Sequence, residues 1–125
     1  METLNTSIKS LLAIDENIED YAQLNSILLY HNIDVKLINN ILNAENEIQL
    51  TKYDCYLIAD VINTEKTTFL IDLIKIYNPG AVVILVAENP TAEMIIEYIP
   101  YGIDNVITKP FLWTSIENVL NIYNY

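Results

Sequence analysis

Glycine is nearly missing from this chain: Gly80 and Gly102 are the two among 125 residues. No glycine-rich loop is left to wrap a phosphate, which argues against a small α/β enzyme acting on a phosphorylated ligand. Cysteine is limited to Cys55, so no internal disulfide can form, as suits a reducing compartment. Basic residues are also scarce. Six stand against 17 acidic ones, for a net charge of −11. Such a surface repels nucleic-acid phosphates and anionic membranes. Long apolar runs are missing too. The densest, Ala81 to Ala87, has the length of a strand, far below the roughly 20 residues that span a bilayer. Met1 to Ser10 lacks the basic-then-apolar layout of a secretion signal. These absences together lead to the expectation of a cytoplasmic protein.

What is present is core material, 52% of the residues being hydrophobic. There is no internal repeat and no linker. After a polar lead-in at residues 1–7, residues 8–125 read as one domain. Strand-length apolar segments alternate with segments of helical period. The expected strands are Ser10 to Ile14, Asp34 to Ile38, Asp54 to Asp60, Ala81 to Ala87 and Asn105 to Thr108. The expected helices run from about Ile18 to Tyr30 (with Asn17 as N-cap), Ala44 to Leu50, Thr67 to Tyr77, a segment carrying Met94 to Ile99, and Thr114 to Tyr123. This alternation predicts an α/β, doubly wound five-stranded parallel sheet with helices on both faces, joined by right-handed crossovers. Ligands of such sheets bind beyond the carboxyl ends of the strands, where strand order switches.

That rule selects residues. Asp15 and Glu16 follow the first strand, Asp60 ends the third, and Lys109 follows the fifth. Three carboxylates gathered together repel one another unless a cation neutralises them. Oxygen donors of this kind suit Mg²⁺, and a lysine beside them can hold a phosphoryl oxygen. A carboxylate nucleophile, a metal and an ammonium are the parts of a phosphoryl-transfer site. The plain alternatives are helix-start charges for Asp15 and Glu16, and a surface lysine for Lys109. His31 reads as the end of a helix, Cys55 as inert packing and Trp113 as a half-exposed packing residue.

The segments L-L-A-I-D-E-N (Leu11 to Asn17), Y-D-C-Y-L-I-A-D-V (Tyr53 to Val61), V-V-I-L-V-A (Val82 to Ala87) and G-I-D-N-V-I-T-K-P-F (Gly102 to Phe111) keep one order and spacing. In this the chain resembles the receiver domains of bacterial two-component response regulators, over nearly its whole length. The resemblance implies a flavodoxin-like (receiver) topology and a signalling role rather than an enzyme. It implies that Asp60 accepts a phosphoryl group from a histidine kinase or phosphotransfer protein. It implies Mg²⁺ held by Glu16, Asp60 and the backbone carbonyl of Ile62, with Asp15 acting through water and Lys109 clamping the phosphoryl group. It further implies a cis peptide before Pro110, and a partner or homodimer surface on the fourth helix, fifth strand and fifth helix.

Four positions depart from the family's pattern. Val86 stands where a Thr or Ser hydroxyl is usual. Val106 stands where a Tyr or Phe is usual. Glu16 replaces a shorter Asp. The loop after Asp60, V-I-N-T-E-K-T-T, lacks the usual Pro and Gly. Val86 and Val106 favour a second expectation: a pseudo-receiver that acts as a protein-protein interaction module without phosphorylation.

Overall fold

The computed structural model describes residues 4–60 and 64–124. Five strands, β1 (Ser10–Ile14), β2 (Asp34–Ile38), β3 (Cys55–Ala59), β4 (Val82–Ala87) and β5 (Asn105–Thr108), form one sheet in the order β2-β1-β3-β4-β5. Every neighbouring pair is parallel. Between them run α1 (Ala22–Tyr30), α2 (Ile41–Leu50), α3 (Thr64–Tyr77) and α4 (Ala92–Tyr98), and α5 (Trp113–Ile122) closes the chain. This is the expected doubly wound sheet. Its switch point lies between β1 and β3, the strands to either side of which the chain leaves in opposite directions.

The two faces of the sheet bury separate clusters. Leu11, Ala13, Leu57, Ile84 and Ile107 pack under α1 and α5, against Leu24, Leu28, Ile116 and Leu120. Leu12, Ile14, Ile58, Val83 and Leu85 pack under α2, α3 and α4, against Ala44, Ile48, Leu70, Ile74 and Tyr98. β3 and β4 are buried at every position, as their unbroken apolar runs require of central parallel strands. Each such branched side chain contributes roughly 1.5–3 kcal/mol by leaving water. No helix among the described residues is long and apolar enough to cross a membrane.

Several boundaries differ from expectation. The first helical segment is divided: Ile18–Tyr21 is a 3-10 turn and the α-helix begins at Ala22. Asn17 does not cap it with its side chain. Instead its backbone N–H turns back to Asp15 Oδ1 at 2.9 Å. α2 starts at Ile41 rather than Ala44, because the Asn40 side chain accepts the N–H of Asn43 at 2.9 Å. α3 starts at Thr64 rather than Thr67. α4 is capped by Thr91, runs into a 3-10 turn at Ile99–Tyr101, and stops at Gly102, whose φ of 105° suits a residue without Cβ.

Candidate functional site

At the end of β1 the ladder continues one residue further: the N–H of Asp15 donates to the carbonyl of Ile38 at 3.0 Å. This turns the Asp15 side chain inward, where it is fully buried. A buried carboxylate needs donors, and three converge on it. Asn17 N–H reaches Oδ1 at 2.9 Å, and the Tyr21 hydroxyl donates to Oδ2 at 2.9 Å. Lys109 Nζ lies 2.6 Å from Oδ2. Lys109 also pairs with Asp20 at 2.9 Å, across 89 residues of sequence, and lies 5.4 Å from the centre of the Tyr21 ring. Tyr21 in turn meets the edge of Phe111.

These contacts tune the charges. Burial pulls the Lys109 ammonium toward neutrality. The hydrogen bonds and charges of Asp15 and Asp20 outweigh it and leave the pKa above the ordinary lysine value. Burial and the neighbouring Asp15 push the Tyr21 phenol well above its usual range, so it remains a donor.

Asp60 sits one residue past β3, half-buried, and its N–H donates to the carbonyl of Val86 at 2.8 Å. Its Oδ1 accepts the hydroxyl of Tyr98 at 2.6 Å. Tyr98 is 1% exposed. Burial, then the bond to Asp60, pushes its pKa up to about 12, while hydrogen bonds from Thr64 and Thr67 act the other way.

The structure therefore brings Asp15 and Lys109 into direct contact, and adds Asp20 and Tyr21 to them. It gives Asp60 a different partner, Tyr98. Sequence reading missed these three. Tyr98 falls inside one segment expected to be helical, and Asp20 near the start of another. Glu16 is exposed to solvent. Ile62 lies outside the described residues. Val86 is buried and carries no hydroxyl, Val106 is half-buried, and the Lys109–Pro110 peptide is cis.

Among the described residues no group of three or more His, Cys, Asp or Glu is placed to hold a metal ion. A caged three-carboxylate centre therefore does not describe this end of the sheet. Mg²⁺ needs less, since it accepts one or two carboxylates and keeps its other places for water and phosphate. Asp15, whose oxygens already take three donors, suits an outer place reached through water. Glu16 and Asp60 have the donor chemistry for direct contact.

Beside Lys109 a cavity of about 340 Å³ opens between α1 and α5, with Gln23, Ile27, Phe111 and Trp113 in its lining. The Trp113 ring stacks on His31 at 5.4 Å and 7°. His31 is thus tied to α5 as well as ending α1.

No protein-family model matches the sequence, and no curated protein does. Solved structures do. The chain superposes with a TM-score of 0.83 on a response regulator from Thermotoga maritima, at 19% identity, over 93% of this chain and 97% of that one. A response regulator from Burkholderia pseudomallei, solved with a phosphorylated aspartic acid, a calcium ion and citrate, gives 0.80 at 20% identity. That match covers 90% of this chain and spans 66% of the other's length. A putative pilus assembly-related protein from the same organism gives 0.77 at 13% identity, over 99% and 95%. The fold is that of response-regulator receiver domains.

Proposed function

We propose that this receiver-fold chain is a signalling module that accepts a phosphoryl group on Asp60 in the presence of Mg²⁺ and so regulates a partner or an attached output domain. The observation that carries the reading is the placement of Asp60 at the carboxyl end of a central strand, between β1, whose end holds a buried carboxylate, and β5, whose end holds a buried ammonium. Bound Mg²⁺, held by Glu16 and Asp60 with Asp15 behind water, would neutralise the charge that gathers as the phosphoryl group arrives. With a phosphohistidine donor, Asp60 Oδ2 attacks phosphorus, the P–N bond breaks, and the freed imidazole takes a proton from water. Lysine has three donors. Asp15 and Asp20 take two from Lys109, and the third serves a phosphoryl oxygen.

The donor on this reading is a histidine kinase or phosphotransfer protein, and the site of action is the cytoplasm. The output surface is α4, β5 and α5, facing a partner or a second copy. Exposed Ile96 and Ile99 support it. A second reading has specific support. Val86 and Val106 lack the usual hydroxyl and ring, while Lys109 and Asp60 already have partners inside the protein. A pseudo-receiver that binds its partner without phosphorylation fits those four residues.

Trp113 separates the two. Beryllofluoride, a phosphoryl mimic, added with millimolar Mg²⁺ is expected to change Trp113 emission saturably in the native chain and not in Asp60→Asn. No response in the native chain would refute the acceptor reading and leave the pseudo-receiver.

A further inference from the structure

The bond between Tyr98 and Asp60 attaches the candidate acceptor to an element that takes no part in the Asp15–Lys109 cluster. Tyr98 is the last residue of α4, and its hydroxyl lies 2.6 Å from Asp60 Oδ1. A bond from a hydroxyl to a carboxylate is of the short, charge-assisted kind, about twice as strong as one between neutral groups. The ring is buried in the cluster that also holds Ile58, Ile71, Ile74 and Leu85. The end of β3 and the last residue of α4 therefore meet at this bond.

α4 has little else of its own. It is seven residues long, too short to be stable without its contacts. It runs directly into the turn Ile99–Tyr101, where Ile99 and Tyr101 are exposed, and Ile96 is 65% exposed one turn earlier. On the same face of the sheet Val106 is small and has no polar atom to compete for Asp60.

We infer that Tyr98 is a positioning residue that couples the state of Asp60 to the placement of α4 and the Ile99–Tyr101 turn. While Asp60 is a free carboxylate, the phenol holds the end of α4 against β3. When the carboxylate carries a phosphoryl group, or is replaced by an amide, the bond is weakened or redirected and the exposed apolar side chains of α4 shift with it. The biological use of this coupling rests on the acceptor reading of Asp60; the coupling itself does not.

Amide hydrogen exchange on four proteins tests it without any phosphodonor: the native chain, Asp60→Asn, Tyr98→Phe and the double variant. Rates in α1 serve as the internal reference for any global loss of stability. Asp60→Asn is expected to speed exchange in α4 by about tenfold over that reference, and Tyr98→Phe by a similar factor. The double variant is expected to exchange no faster than the quicker single one. Additive effects, or acceleration of α1 equal to that of α4, would overturn the coupling. Intact mass after treatment with acetyl phosphate and Mg²⁺ reports separately on the acceptor. Non-additive exchange without phosphoryl uptake keeps the coupling and removes the acceptor. Uptake with additive exchange does the reverse.

Discussion

Replacing Asp15 with Asn changes the size of the side chain hardly at all, yet it is predicted to cost about 3 kcal/mol. The carboxylate is fully buried and takes three donors: Asn17 N–H, the Tyr21 hydroxyl and Lys109 Nζ. An amide offers one acceptor oxygen. If that oxygen faces Tyr21 and Lys109, its NH₂ meets the N–H of Asn17, donor against donor. The variant also removes one charge of a pair whose ammonium is 6% exposed. Breaking a buried pair from one side typically costs roughly 3–5 kcal/mol. Asp20 stays on Lys109 and offsets part of this, although its own side chain is 49% exposed. With a urea slope of roughly 1.5 kcal/mol per M, the midpoint of unfolding falls by about 2 M. Urea denaturation followed by circular dichroism measures it. Asp20→Asn is the control, expected to cost below about 1 kcal/mol because a half-exposed pair is screened by water. Equal midpoints for the two variants, or an Asp15→Asn midpoint within error of the native one, would refute the assignment of the cluster's strength to the buried carboxylate.

Other expectations follow from single groups. Tyr98 holds its proton to about pH 12 in the folded chain against 10 for a free phenol, so its contribution is complete below pH 10 and is lost as pH rises toward 12. Tyr98→Phe flattens that part of the alkaline denaturation curve. The buried Cys55 thiol, pushed well above its usual pKa by burial, is expected to resist a thiol reagent in the native chain at mildly alkaline pH and to react at once in urea. Val86→Thr places a hydroxyl in a buried, apolar position and is expected to cost about 1–2 kcal/mol of stability. It is also expected to tighten beryllofluoride binding about tenfold, as one hydrogen bond to a charged group allows; fluorescence titration reads the affinity and urea the stability.

The sheet was legible because its signals are local. The apolar runs at Ser10–Ile14, Cys55–Ala59 and Val82–Ala87 need no partner to be recognised. The strand ends then select Asp15, Glu16, Asp60 and Lys109 by a rule of topology. What escaped was what depends on distance in sequence. Nothing near Asp20 announces Lys109, and nothing near Tyr98 announces Asp60, 38 residues away. A tyrosine at helical spacing reads as core, and Tyr98 is core; only folding reveals where its hydroxyl ends. The missed start of α2 is a different case, since Asn40 was a visible cap placed before a segment with a weak apolar period.

The central claim is that Asp60 accepts a phosphoryl group, and intact mass measures this directly. After incubation with acetyl phosphate and Mg²⁺, the native chain is predicted to gain the mass of one phosphoryl group. The adduct should be released by hydroxylamine, as an acyl phosphate is, and should not form in Asp60→Asn. A native chain that gains nothing, or an Asp60→Asn chain that gains as much, would contradict it.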